Sequence, residues 1–163
     1  MTQKLAAFYL FLAFSLFGTT ALAQTESHKM VKPDDLKWAD VPSLPPGAKV
    51  AVLEGPLDGK GPVAFRIKLP ANYDIPAHWH PTTEHVTVLS GTLNLGTGDK
   101  LDKNKTSPLP TGGFAIMPAK MHHFAWTKEE TVLQVHATGP WKFNYVNPAD
   151  APKNINSGKG NIR

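Results

Sequence analysis

The sequence predicts an all-β protein, a single jelly-roll barrel that follows an N-terminal signal peptide. Its apolar segments are short and separated by turn residues, with 15 prolines and 13 glycines in 163 residues, which is typical of all-β domains. No segment after the signal combines a long apolar repeat of helical period with capping residues. The chain from Gln24 to Arg163 has the length of one ordinary domain.

Residues 1–23 have the pattern of a secretory signal peptide. Lys4 precedes an apolar run from Leu5 to Phe17, and Ala21-Leu22-Ala23 forms an A-x-A cleavage site. An uncleaved membrane anchor is the alternative, but the apolar run is short for ~30 Å of hydrocarbon. We therefore expect cleavage after Ala23 and a periplasmic or secreted protein with no stable membrane anchor.

Composition narrows the function classes. The chain has no cysteine, so an exported form relies on its core, and on a metal or a partner subunit, rather than on disulfides. Its formal net charge is +4, and its lysines alternate with aspartates and glutamates instead of forming a basic stripe. This pattern argues against nucleic-acid binding.

The barrel is predicted over residues 48–148. Nine strands are expected within it: Lys49–Leu53, Val63–Leu69, Ile75–His80, His85–Ser90, Thr92–Leu95, Gly113–Met117, Phe124–Trp126, Thr131–His136 and Phe143–Tyr145. Short strands in this number favour a sandwich or barrel. Large apolar side chains at Phe114, Ile116, Phe124, Trp126 and Trp141 are expected in the core or the pocket wall.

Three segments are predicted to be irregular. Residues 24–47 form a proline-punctuated arm, from which Trp38 packs on the barrel. The charged stretch from Asp99 to Gly112 is expected to be a loop crossing the outside of the barrel. Residues 149–163 contain little apolar surface and are expected to form a flexible C-terminal tail.

A cluster of metal-binding side chains is the main functional signal. In a strand, residues two apart face the same side, so His78 and His80 point together. Glu84 starts the next apolar run and should face the interior with its alternate neighbours. The turn after Pro118 adds either His122 or His123. Three imidazoles and one carboxylate suit one divalent first-row ion (Mn, Fe, Ni, Cu or Zn) with coordination positions left for water or substrate.

These residues resemble the two sequence motifs of the cupin superfamily. Residues 72–91 are similar to the first motif, in which His78, His80, Glu84 and Gly91 stand at the expected spacings and Asn72 replaces the opening glycine. Residues 112–127 resemble the second motif through Gly112, Pro118 and His123, with Lys120 in place of a glycine and Thr127 in place of an asparagine. The resemblance covers roughly residues 48–137 and is to small single-domain secreted bacterial cupins. It implies that His123, rather than His122, is the ligand.

The resemblance implies a jelly-roll barrel with a metal held by His78, His80, Glu84 and His123. Cupins with this ligand set include dioxygenases and other oxidoreductases. The resemblance therefore implies a metal-dependent, oxygenase-like enzyme that acts on a small oxygenated substrate. In such an enzyme Glu84 would be a ligand and a proton acceptor. The alternative is a non-enzymatic module of the cell envelope that binds a metal, a sugar or an organic acid. A homodimer is expected, because short strands leave edges to be covered, cupins commonly dimerise, and the arm at residues 31–46 could reach across a neighbour.

Three further polar residues leave two interpretations open. Gln134 and His136 alternate along one predicted strand and face either the pocket or the solvent. Arg66 lies out of phase with its apolar neighbours, so it points either to solvent or into the barrel, where it could bind a substrate carboxylate.

Overall fold

The structure is a computed structural model and describes residues 28–153. The predicted signal peptide and residues 154–163 of the predicted tail lie outside the described residues, so both remain predictions. Within the described part of the chain, no helix is long and apolar enough to cross a membrane.

The described residues form eleven strands and three short 3-10 helices. The strands are β1 (Ala39–Asp40), β2 (Lys49–Glu54), β3 (Pro62–Leu69), β4 (Tyr73–Trp79), β5 (Glu84–Ser90), β6 (Thr92–Thr97), β7 (Ser107–Pro110), β8 (Phe114–Met117), β9 (His123–Thr127), β10 (Thr131–Thr138) and β11 (Asn144–Tyr145). The 3-10 helices are Pro33–Asp35, Lys103–Lys105 and Pro148–Asp150.

Two antiparallel sheets make the barrel. One has the order β1-β2-β3-β10-β5-β8 and the other β11-β4-β9-β6-β7, so β10 lies between β3 and β5, and β9 between β4 and β6. Residues from the inner faces of both sheets form the core, with Phe65 and Leu69 fully buried. Period-two alternation explains this: in β5 the odd-numbered side chains are less buried than Glu84, Val86 and Val88. The predicted all-β jelly-roll fold is confirmed.

All nine predicted strands are present, with ends within two residues of the prediction, but two further strands were missed. The predicted loop from Asp99 to Gly112 contains β7, which holds Pro108 and Pro110. Proline has no amide hydrogen to donate, so it is tolerated in a strand that has a neighbour on one side only. β7 is such a strand, because it is the outermost strand of its sheet. Its register sets Pro108 opposite Asn94 and Pro110 opposite Thr92.

The arm is more ordered than the sequence suggested. Its strand β1 pairs with β2 of the same chain, with Ala39 opposite Val50, and Val41 and Leu44 are buried in the core. The Lys68 ammonium lies 4.9 Å from the centre of the Trp38 ring. The expectation of an irregular arm was wrong for residues 39–40, which form β1; residues 41–45 are irregular as expected, and two of their apolar side chains belong to the core.

Two large apolar residues lie outside the core. Phe114 and Ile116 are each 54% exposed, although both were expected to be core or pocket wall. They lie opposite Thr87 and His85 on the outer face of β5, so alternation directs the smaller Ala115 inward instead. Phe124 and Trp141 are buried, as expected.

Candidate metal centre

A bulge in β4 brings His78 and His80 to the barrel interior. Ile75 pairs with Ala125 and His78 pairs with His123, so β4 uses three residues where β9 uses two. One extra residue reverses the inward phase of a strand. Ile75 therefore faces inward before the bulge, and His78 and His80 face inward after it, each less than 5% exposed.

Glu84 opens β5 on the opposite sheet. It is 5% exposed and lies across from Met117 of β8. The turn between β4 and β5 is short, so Glu84 follows His80 closely in space as well as in sequence. At the far end of β5, Gly91 has a φ of 76°, and a Cβ there would lie 2.6 Å from the carbonyl oxygen of Glu130, which explains a glycine at this position.

The turn before β9 separates His122 from His123. Lys120 takes the left-handed conformation, with a φ of 65°, as the glycine of the motif would, and its amide donates to the His80 carbonyl at 2.8 Å. His123 is 3% exposed and faces the interior. His122 instead lies with its Nδ1 2.6 Å from the exposed carboxylate of Asp99. This geometry favours His123 as the ligand.

The four side chains converge on one point. One ring nitrogen from each of His78, His80 and His123 lies within 4.8 Å of the others. An oxygen of Glu84 is 3.5 Å from His80 Nε2 and 3.6 Å from His123 Nε2. A single ion with bonds of about 2.1 Å needs donor atoms about 3 to 4 Å apart. The two Glu84 distances are in this range, and imidazole nitrogens that are 4.8 Å apart would have to move closer to share one ion. These three buried histidines could hold a metal.

Hydrogen bonds fix the tautomer of each imidazole. Nδ1 lies 2.8 Å from the Pro76 carbonyl in His78, 2.8 Å from the Lys142 carbonyl in His80, and 2.9 Å from the Met121 carbonyl in His123. A carbonyl only accepts, so each Nδ1 carries the proton and each Nε2 presents a lone pair. His80 Nε2 is buried and has no hydrogen-bond partner among the described residues. A neutral imidazole with this orientation is what a divalent ion requires, so the residues fit a metal.

Burial lowers the pKa values of His78 and His80. Burial, with the neighbouring His123 and His80, holds the pKa of His78 well below its ordinary value. Burial also lowers the pKa of His80, although the Glu84 carboxylate opposes this. For Glu84, burial raises the pKa, but His80 and His123 outweigh it and leave the pKa below the ordinary value. At neutral pH the site therefore combines two neutral imidazoles, His78 and His80, with an ionised Glu84 carboxylate.

The candidate ligands lie in the wall of an apolar cavity between the sheets. The cavity is partly open to solvent, and its empty space, with the open mouth included, is about 430 Å³. Besides the four candidate ligands, its wall consists of Leu44, Ile67, Ile75, Val86, Leu93, Leu95, Met117, Ala125, Leu133, Val135, Trp141 and Phe143. No lysine or arginine is among these residues, so Glu84 is the one charged group of this wall.

The remaining sequence candidates lie elsewhere. Arg66, Gln134 and His136 do not line this cavity. Arg66 and Gln134 are opposite each other on β3 and β10, and Arg66 Nε donates to the Gln134 amide oxygen at 3.1 Å. His136 is exposed and lies opposite His85. All three are on the outer face, because their buried alternates such as Phe65 and Val135 occupy the inner one. The pocket interpretation of these residues was wrong.

Trp141 was expected in the core or the pocket wall and lines the cavity, but the support that residues 141–143 give to the histidines was not predicted. The Phe143 ring stacks on His78 with centroids 3.8 Å apart, and the Trp141 ring stacks on His80 at 4.7 Å. Lys142, between them, provides the carbonyl that holds His80. The alternation of aromatic residues at 141, 143 and 145 after a Gly-Pro turn was the available signal, and it indicates one face of a strand directed inward.

Comparisons with known proteins agree with this architecture. The sequence profile of the ChrR Cupin-like domain matches residues 26–142. The polyketide cyclase RemF from Streptomyces resistomycificus has 20% identity and a TM-score of 0.65, covering 82% of this chain and 95% of that one. An RmlC-like cupin from Shewanella frigidimarina has 16% identity and a TM-score of 0.55, covering 69% and 91%.

A third similar structure, from Methylibium petroleiphilum, is assigned as an acetylacetone dioxygenase. It has 14% identity and a TM-score of 0.59, covering 77% of this chain and 85% of that one. At these identities the similarity shows the fold alone. Among curated proteins, no sequence matches this chain significantly. The profile match spans most of the chain, and together with the fold it shows that the chain belongs to the ChrR cupin-like family of the cupin superfamily.

Proposed function

We propose that this protein is a metal-dependent, oxygenase-like enzyme that acts on a small, uncharged, oxygen-containing molecule. The observation that carries the proposal is the convergence of three Nε2 lone pairs and the Glu84 carboxylate inside an apolar cavity. His78, His80, Glu84 and His123 would hold one divalent first-row ion. Such an ion, when bound, would polarise an oxygen atom of the substrate or activate O₂ if it is redox-active.

Glu84 has a second role in this proposal. Its carboxylate is buried, and its lowered pKa keeps it ionised at neutral pH. It can therefore balance part of the ion's charge, and it lies where it could accept a proton from a bound molecule. With an ion bound, the imidazoles could not take this role, because their Nε2 lone pairs would be bonded to the ion and their Nδ1 atoms carry protons bonded to carbonyls.

The cavity wall suggests the substrate class. A carboxylate or phosphate group would need a cationic partner when buried, and neither Lys nor Arg lines this wall. The position of Arg66 on the outer face removes the candidate that could have bound an acid. Apolar walls and a polar centre instead suit a neutral ketone, diketone or phenol. A relative by fold is assigned as an acetylacetone dioxygenase, which supports an oxygenase.

A non-enzymatic metal-binding module is the second candidate. One observation favours it: apart from the four candidate ligands, no ionisable side chain lines the cavity, so Glu84 would be the sole acid–base group available. Under either function we expect export, with cleavage after Ala23. Sequencing the N-terminus of the protein recovered from a periplasmic extract tests that point.

Oxygen uptake by the metal-loaded protein separates the two candidates. The protein would be loaded in turn with Mn, Fe, Ni, Cu and Zn, its metal content measured by elemental analysis, and then mixed with catechols, flavonoids, 1,3-diketones, dicarboxylates and sugar acids. We expect close to one ion per chain, and O₂ consumption with a neutral compound that is lost in His123→Ala and retained in the matched control His122→Ala. Full metal loading without O₂ uptake or product for any compound would favour the binding module. Failure to retain any metal would contradict both.

A further inference from the structure

One side of the cavity is closed by residues 41–47, a segment that we call the strap. Leu44 is 2% exposed and lines the cavity, whereas Pro42 and Pro46, close by on either side of it in the sequence, are exposed. The strap therefore has the cavity on one side and solvent on the other. It lies between β1 and β2 and belongs to neither sheet, so the strand ladders that hold most of the cavity wall do not hold it.

Two tyrosine hydroxyls hold the strap on either side of Leu44. The Tyr145 hydroxyl donates to the Ser43 carbonyl at 2.8 Å, and the Tyr73 hydroxyl donates to the Pro45 carbonyl. Among the described residues, the only backbone–backbone hydrogen bond of the strap is internal. In that part of the chain, the strap is therefore fastened to the barrel by these two hydroxyls and by the packing of its apolar side chains.

The strap is stiff along its length and ends in a glycine. Pro42, Pro45 and Pro46 fix its backbone and carry no amide hydrogen that a strand ladder could use. Gly47 follows them with a φ of 109°, in a region that glycine enters without steric cost. Segments with few hydrogen bonds to the rest of a protein open at a lower free energy than paired strands do. Displacing the strap would break two hydrogen bonds and uncover Leu44, and it would leave the strand pairings of both sheets intact.

We propose that the strap is the gate of the cavity: it moves outward with Leu44 to admit a ligand, and the Tyr73 and Tyr145 hydroxyls latch it shut. The proposal rests on the proposed function, because it requires a molecule that binds at the metal centre, and it deepens that function by giving the route of entry. A gate slows entry and exit by the same factor, since both need the open state, and it leaves the equilibrium affinity unchanged. Neither tyrosine lines the cavity, so replacing one removes no contact with the bound molecule.

Ligand-exchange kinetics of the Co²⁺-loaded protein test the proposal, because the visible absorption of Co²⁺ reports binding and no turnover is needed. The probe is benzimidazole, which binds metals through its ring nitrogen, and its binding and release are followed by stopped flow. Each of Tyr73→Phe and Tyr145→Phe removes one latch hydrogen bond, so each should raise the association and dissociation rate constants together by about fivefold, with an unchanged dissociation constant. Trp126→Phe is the matched control, because it removes a hydrogen bond to Thr106 Oγ1 away from the cavity and should change neither rate constant.

Pro46→Gly is a second test that leaves both latches in place. Glycine gives the open strap more conformational freedom, so this exposed substitution should also raise both rate constants, by about threefold, and it decides the question if a tyrosine variant does not fold.

Three results would overturn the gate and leave the proposed function intact. Unchanged rate constants in these variants would mean that the ligand enters elsewhere. Faster dissociation with weaker affinity would mean that the tyrosines only support the wall. A wild type that retains Co²⁺ and admits no benzimidazole would have no such gate. If the wild type retains no Co²⁺, the proposed function fails, and the gate fails with it.

Discussion

Acidification of the metal-free protein should destabilise it through the buried histidines. Folding depresses the pKa values of His78 and His80 below the ordinary value of 6.5. Below pH 6.5 the unfolded chain therefore binds protons that the folded chain does not. The stability that these groups contribute is full above pH 6.5 and is lost as the pH falls further.

The size of the effect follows from the proton uptake of the unfolded chain. Each imidazole that stays uncharged in the folded protein at pH 5.5 lowers the free energy of unfolding by about 1.4 kcal/mol relative to pH 7.5. We expect a loss of about 1.4 kcal/mol if His78 alone stays neutral, and about 2.8 kcal/mol if His80 does too. Glu84 does not change the free energy of unfolding between pH 7.5 and pH 5.5. Its pKa is also lowered by folding, so the stability that it contributes is lost only below about pH 4.5.

Urea unfolding at the two pH values measures this loss, after dialysis against a chelator so that no metal competes with protons. His78→Leu removes one buried imidazole and should reduce the pH-dependent difference by about 1.4 kcal/mol. His136→Gln is the control, because His136 is exposed on the outer face and should leave the difference unchanged. Equal stability of the wild type at pH 7.5 and pH 5.5, or an unchanged difference in His78→Leu, would refute the reasoning.

Three further predictions concern the ligand turn, its backbone and the outer face. In equilibrium dialysis, His123→Ala should lose metal retention and His122→Ala should keep it; the reverse result would make His122 the ligand. Lys120→Val should lower the free energy of unfolding by about 1–2 kcal/mol, because a β-branched residue is strained at positive φ, whereas Lys120→Gly should change it by less than about 1 kcal/mol. Light scattering should show that the protein is a dimer and that Ile116→Glu dissociates it, because β8 is an edge strand on which Ile116 is 54% exposed. A wild-type monomer at micromolar concentration would contradict this prediction.

The strands of the barrel were readable from the sequence because alternation and turn residues act locally. What could not be read was which strands lie at an edge. Pro108 and Pro110 argue against a strand in general, and only the place of β7 at the end of its sheet makes them acceptable. The same limitation misplaced Phe114 and Ile116, since their burial depends on whether another element covers β8.

The candidate ligands were also predictable, although the alternation of side chains along β4 would not by itself have identified them. Counting by twos from Ile75 would direct His78 outward, and a bulge corrects the phase. The motif spacing includes that bulge implicitly, so the resemblance placed His78, His80 and His123 together, as the structure does, where counting by twos would not have. Arg66, Gln134 and His136 had no such motif, and alternation left both faces open for them until the partner strands were known.

The support of the site joins parts of the chain that are distant in sequence. Residues 141–145 contact two candidate ligands through rings, hold His80 through a carbonyl, and reach the arm through the Tyr145 hydroxyl, which donates to the Ser43 carbonyl at 2.8 Å. Leu44, next to Ser43, closes one part of the cavity wall. A metal centre needs its ligands held to within about 0.5 Å by packed neighbours. Residues 141–145 therefore link the arm to the ligands, and a change in their packing would alter cavity shape and metal geometry together.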